Sequence, residues 1–117
     1  MLTTESLHLF TGTSQYYRHW LNRFVLTDGV HYICNYGGAW IVDAIASHQT
    51  KELLSDPMLQ EFQFWKLRVN MDRSAVLTCL RDTDDVMLTQ EIEYTDFALD
   101  EVRLYLVEGI LMLPSEY

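Results

Sequence analysis

Positive charge is scarce in this chain: 8 Lys and Arg stand against 17 Asp and Glu, for a net charge of −9. Such a chain lacks the basic surface with which nucleic-acid phosphates or anionic lipid headgroups are met, so direct binding to either is disfavoured. A basic protein partner is compatible with the same arithmetic. Cysteine is nearly absent as well, with only Cys34 and Cys79, far apart and in no C-x-x-C or zinc spacing. That fits small core thiols in a reducing compartment and implies no redox role. No apolar run approaches the roughly 20 residues that span a bilayer. The opening MLTTESLHLF also lacks the basic flank and apolar stretch of a signal peptide, so a cytoplasmic location is expected. Missing too are a phosphate-cradling glycine loop, G-x-S-x-G and H-E-x-x-H, which leaves the chain without a familiar enzyme motif.

What remains is rich in apolar residues, 49% of the chain, including 3 Trp, 7 Tyr and 5 Phe. At 117 residues this composition buries a core and forms one domain over 1–117. Its halves differ in pattern. In 1–56 glycines punctuate helical stretches: Asp28 reads as a cap, a short helix stops at Gly37-Gly38, and a second begins near Ala39. In that second helix Trp40, Ile41, Val42, Ala44, Ile45 and Ala46 surround the axis, as in a helix packed on several sides.

From 58 to 117 the period becomes strand-like. FQFWKLRV, AVLTCLR, VMLTQEIEY, VRLYLV and ILML are separated by turns at 70–74, 82–85, 95–101 and 108–109. In the third, Val86, Leu88, Ile92 and Tyr94 alternate with Thr89, Glu91 and Glu93, which predicts one buried and one wet face. The segment 99–109 also has a helical reading, but the alternation of Val102, Leu104 and Leu106 favours a strand. The expectation is an α+β domain, N-terminal helices packed on a C-terminal antiparallel sheet of about five strands.

Chemistry-bearing residues gather at QYYRHW, residues 15–20. Asp43 lies mid-helix among apolar neighbours, and a carboxylate taken out of water needs partners. Arg18 or His19 is expected to meet it, as an internal clamp more than a catalytic pair. Tyr16, Tyr17, Arg18, His19, Asp43, Ser47 and His48 are therefore structural or pocket candidates. His31 and Cys34 stand three apart, as a thiol and its base would, but no third orienting group is evident. The four histidines follow no metal spacing, so no metal or cofactor is expected. The run at Asp82, Asp84 and Asp85 lacks the glycine and closing glutamate of a calcium loop and reads as a turn.

The acidic excess is concentrated in the second half. Residues 1–50 hold Arg18 and Arg23 against Glu5, Asp28 and Asp43, whereas the rest holds six basic and fourteen acidic side chains. Asp82, Asp84, Asp85, Glu91, Glu93, Asp96, Asp100, Glu101 and Glu108 are candidates for an acidic partner-binding surface.

Taken as a set, FTGT at 10–13, YYRH at 16–19, TDGV at 27–30, GGAW at 37–40, DAIAS at 43–47 and LPSEY at 113–117 resemble a family of small bacterial proteins classed as a domain of unknown function. The resemblance covers most of the chain and is weakest between about 50 and 85. It implies frequent carriage on mobile elements such as plasmids and phages, and it implies no established activity, cofactor or catalytic residue.

The function expected is that of a small acidic intracellular interaction protein, not an enzyme. As an accessory or anti-defence inhibitor of a mobile element, in the manner of an anti-CRISPR, it would cover a basic nucleic-acid-binding surface of a host protein. The alternative is a small enzyme or ligand-binding domain with a pocket around Tyr16, Arg18, His19 and Asp43. A homodimer through exposed strand edges is compatible with the pattern.

Overall fold

The computed structural model describes residues 2–81 and 84–117. Four short helices are placed among them: α1 Thr4–His8, α2 Asp28–Ile33, α3 Ala39–Ser47 and α4 Pro57–Glu61. Each begins where its sequence supplies a cap. Thr3 and Ser6 satisfy one another's backbone amides ahead of α1, Thr27 accepts from Val30 N–H ahead of α2, and Asp56 accepts from Met58 N–H with Pro57 in the first turn of α4. Thr27, not Asp28, is thus the cap of α2, and Asp28 sits in the first turn.

The first helical stretch ends at the glycine pair, as the sequence suggests: Tyr36 (φ −118°, ψ 36°) and Gly37 leave the helical region in the turn Cys34–Gly38, and α3 starts anew at Ala39. Gly37 has φ +95°, a value that suits glycine. Gly38 is needed for space, since a Cβ there would lie 2.2 Å from Ile33 Cγ2.

Among the described residues, seven strands form one sheet in the order β1-β2-β7-β6-β3-β4-β5. They are β1 Tyr17–Arg18, β2 Val25–Leu26, β3 Phe62–Val69, β4 Ala75–Leu80, β5 Val86–Ile92, β6 Glu101–Val107 and β7 Ile110–Met112. The sheet is mixed, which corrects the expectation of about five antiparallel strands. β2 lies parallel to β7, pairing Val25 with Ile110 and Leu26 with Leu111, and the first half contributes two strands of its own. Two-residue strands are too short to show a period, and only pairing creates them, β2 with β7 and β1 with β2. The alternative helix at 99–109 is a strand, β6.

Burial alternates along β3 and β6, so Gln63, Trp65, Leu67 and Val69 share the inner face with Val102, Leu104 and Leu106. Ile33, Ile41, Val42 and Ile45 from α2 and α3 join the same buried cluster. Among the described residues, no helix is long and apolar enough to cross a membrane.

A polar knot lies inside this core. Gln49 and Gln63 exchange amide hydrogen bonds of 2.9 and 2.8 Å, each amide also donates to a backbone carbonyl, and Trp65 Nε1 donates to Gln63 Oε1 at 2.8 Å. Every one of these groups is satisfied, which makes the knot a device for fixing how α3 and α4 meet β3.

At β5 the alternation departs from the sequence reading. The register steps between Cys79, paired with Leu88, and Leu80, paired with Val86. This bulge turns Val86 outward to 54% exposure, and Tyr94, beyond the strand, is 69% exposed.

Candidate functional site

Alternation along β1 divides QYYRHW in two. Tyr17 and His19 turn inward, the latter to 5% exposure, while Tyr16, Arg18 and Trp20 stay exposed. His19 Nε2 lies 2.7 Å from Asp43 Oδ1, and the Leu21 amide donates to His19 Nδ1 at 3.2 Å. A nitrogen that accepts from an amide carries no proton, so the geometry assigns the Nε2–H tautomer, with the imidazole donating to the carboxylate. Trp20 Nε1 donates to the same Oδ1 at 2.8 Å. Asp43 therefore has two donors on one oxygen, although its side chain is 44% exposed and is not stripped of water as the sequence suggested.

The other candidates do not converge there. Arg18 makes no side-chain hydrogen bond or ion pair among the described residues, so of the two expected partners His19 is the one that meets Asp43. Ser47 bonds back to the Ala44 carbonyl at 2.7 Å. His48, at the far end of α3, lies 2.7 Å from Gln90 Oε1 and stacks on Trp65. Clefts open elsewhere, one of about 320 Å³ beside Leu7, Leu99 and Val102 and one of about 570 Å³ beside Leu53 and Leu88.

Tyr17 belongs to a second junction. Its hydroxyl donates to Asp28 Oδ1 at 3.1 Å, Ser14 N–H donates to Asp28 Oδ2 at 2.7 Å, and Asp28 N–H donates to Thr13 Oγ1 at 2.8 Å. The Ser14 amide chiefly, with Tyr17 and Thr13, holds the Asp28 carboxyl below its ordinary value against partial desolvation. Burial first, then the bond to Asp28, pushes the Tyr17 phenol up. The Tyr17 ring lies flat on His31, centroids 3.8 Å apart, which draws that imidazole into packing rather than toward Cys34.

A third junction was not foreseen. Glu116 Oε1 accepts from Thr27 Oγ1 at 2.6 Å and from Leu113 N–H at 3.0 Å, and Oε2 accepts from Gly29 N–H at 3.1 Å. Gly29 makes room for it, because a Cβ there would stand 2.5 Å from Leu113 Cδ1 and 2.6 Å from Glu116 Oε1. The segments FTGT, YYRH, TDGV, DAIAS and LPSEY thus bond to one another, and together they lock the N- and C-terminal stretches onto α2 and α3.

The thiols have no activating environment. Burial, and then the charge of Asp43, pushes Cys34 up to about 11; burial alone pushes Cys79 to about 12. Among the described residues, no three His, Cys, Asp or Glu side chains gather as metal ligands.

Strand register divides the acidic candidates between opposite ends of the sheet. Asp82 lies outside the described residues. Asp84, Asp85 and Glu108 sit at one end, where Arg81 binds both Asp85 and, at 2.8 Å, Asp56. Asp56 is held below its ordinary value, its desolvation outweighed by Arg81 and the Met58 amide.

At the other end stand Glu93, Asp96, Asp100 and Glu101, beside the β3–β4 turn. Arg73, with φ +71° in that turn, donates to the carbonyls of Thr95 at 3.0 Å and Phe97 at 2.6 Å and accepts from Thr95 N–H, pinning residues 93–100 against the hairpin. Glu93, Asp96 and Asp100 are exposed at this end, as are Tyr94 and, fully, Met71. Glu101 is instead bridged to Lys66 at 3.1 Å and lies 3.7 Å from Arg103. Desolvation works against its charge, but the Lys66 bond and nearby cations outweigh it and hold Glu101 below its ordinary value. Glu91 is exposed on the outward side of β5.

The whole chain, residues 1–117, matches the model of DUF6876, a family of unknown function, and belongs to it. No curated protein and no solved structure matches it.

Proposed function

We propose that this member of DUF6876 is an interaction protein that binds a basic surface of a protein partner through the end of the sheet holding Glu93, Tyr94, Asp96 and Asp100. The observation that carries the reading is the Arg73 clamp. By fixing Thr95 and Phe97 to the β3–β4 turn, it holds the exposed Tyr94 and the exposed carboxylates of Glu93 and Asp96 on the stretch bonded to the turn that carries the exposed Met71. A preorganised apolar anchor with a charged rim is the usual anatomy of a binding hot spot, and the net charge of −9 steers a basic partner toward it. A nucleic-acid-binding surface of a host protein has the required charge, and covering it is how an accessory or anti-defence inhibitor of a mobile element would act.

The alternative, an enzyme or ligand pocket around Tyr16, Arg18, His19 and Asp43, finds less support. Both nitrogens of His19 are engaged, and Arg18 points away from Asp43 into solvent. The test is capture of a partner from host lysate, repeated with Glu93→Lys/Asp96→Lys/Asp100→Lys and with Asp84→Lys/Glu108→Lys at the opposite end. Binding that weakens with added salt and is lost only in the triple variant is expected. Equal loss in both variants, or salt-insensitive binding, would overturn the assignment of the surface.

A further inference from the structure

The sheet finishes differently on its two sides. β1 closes one side with two residues, and so short a strand offers almost no ladder to another chain. β5 closes the other with seven, and β4 is its one neighbour in the sheet. Val86–Ile92 contains no proline, lysine or arginine, the residues that usually blunt an edge. Its irregularity is confined to the start, where the register steps around Met87, so the stretch from Leu88 to Ile92 is regular and carries a row of outward backbone donors and acceptors. No loop of the described chain supplies backbone partners to that row.

The inner layer is also unfinished along this strand. Ala75, Leu77 and Cys79 of β4 are no more than 1% exposed, whereas Leu88, Gln90 and Ile92 of β5 are only half-buried. A cleft of about 570 Å³ opens beside Met87 and Leu88, lined also by Leu53 and Leu59. On the outward side Thr89 and Glu91 are exposed, and Glu93 follows.

We infer that the open edge of β5 receives an extended segment of the partner as an added strand, in which apolar residues completing the inner layer alternate with Lys or Arg facing Glu91 and Glu93. Backbone pairing would supply the affinity and the alternation the specificity, as in other strand-addition complexes. The inference rests on the basic partner proposed above and adds the manner of its docking. A second copy of this chain fits the edge poorly. Pairing two such edges would bring together chains that each carry −9, with no Lys or Arg in either strand to face Glu91.

The experiment is backbone amide exchange, by NMR on the intact chain, with three short synthetic peptides: lysine alternating with valine, glutamate alternating with valine, and the lysine peptide with a central proline. Alternate amides between Leu88 and Ile92 should exchange about tenfold more slowly with the first peptide alone. That protection should be lost in Glu91→Lys and in Thr89→Lys, each placed at an exposed position. Perturbation by the lysine peptide around Tyr94 and Asp96, with exchange in β5 unchanged, would overturn the edge inference and leave the acidic surface standing. The absence of any perturbation would also overturn it, and partner capture then tests the acidic surface separately. Protection of β5 that grows with protein concentration in the absence of peptide would assign the edge to a second copy and overturn it as well.

Discussion

His19 donates to Asp43 across 2.7 Å while the amide of Leu21 occupies its other ring nitrogen. With both ring nitrogens bonded, the imidazole fastens the end of β1 to α3. His19→Ala should therefore cost stability, about 1–3 kcal/mol by chemical denaturation, because it strands the Leu21 amide and removes one of the two donors to Asp43. Trp20→Phe, which removes only the second donor at a mostly exposed ring, should cost about 1 kcal/mol or less.

The Gln49–Gln63 pair predicts a non-additive result. Gln63→Leu takes both Gln63 bonds from the Gln49 amide, which keeps only the Ile45 carbonyl, and leaves the Trp65 indole without a partner in a site where Gln63 is 1% exposed; it should cost about 2–4 kcal/mol. Gln49→Leu/Gln63→Leu should recover part of that loss, and a double-mutant cycle measures the coupling.

Gly29→Ala should push the C-terminal turn off α2. The new methyl would stand 2.5 Å from Leu113 Cδ1, and because Leu113 is 2% exposed it has little room to withdraw. A loss of about 1–3 kcal/mol is expected, together with faster proteolysis after Leu113. Glu116→Gln, which keeps the shape of the clamp and removes its charge, should fall between this variant and the parent.

Acid should weaken the fold through its paired carboxylates. Asp28, Asp56, Asp72 and Glu101 all have folded-state values lowered from their ordinary ones, so the unfolded chain binds more protons and stability rises with pH through that range. Their contribution is fully present above the ordinary carboxylate range, about pH 4–5, and drains away as pH falls through the folded values. Thermal melts from pH 7 to pH 3 should show this fall, and Asp28→Asn should flatten it.

Cys34 and Cys79 should resist alkylation at neutral pH. With values raised to about 11 and about 12, their thiolate fractions lie of the order of a hundredfold or more below that of a free thiol. Iodoacetamide labelling followed by mass spectrometry should proceed only as the chain unfolds in denaturant.

Much of the sheet was legible because it obeys a simple period. β3, β4 and β6 alternate cleanly, and Glu108-Gly109, with φ values of +48° and +81°, makes the tight turn its residues suggest. β1 and β2 were not legible, since nothing local marks Val25 as the parallel neighbour of Ile110. The bulge at Leu80 reverses the facing of Val86, and no composition signal announces it. At the His19–Asp43 junction, the demand of a mid-helix carboxylate pointed to the right segment but left Arg18 and His19 open. The choice fell to strand alternation, which sends Arg18 out and His19 in. Glu116 was visible only as part of LPSEY, because its partners Thr27 and Gly29 are brought to it by the β2–β7 pairing.

The proposed function puts binding at Glu93, Asp96 and Asp100 and leaves the Asp43 junction a structural part. Affinity for the captured partner, compared between Asp43→Asn and Glu93→Lys/Asp96→Lys/Asp100→Lys, separates the two most directly. On the proposed function, the first variant binds within about twofold of the parent although less stable, and the triple variant does not bind. Loss of binding in a folded Asp43→Asn with the triple variant unimpaired would contradict it, and would return the site to the residues around His19.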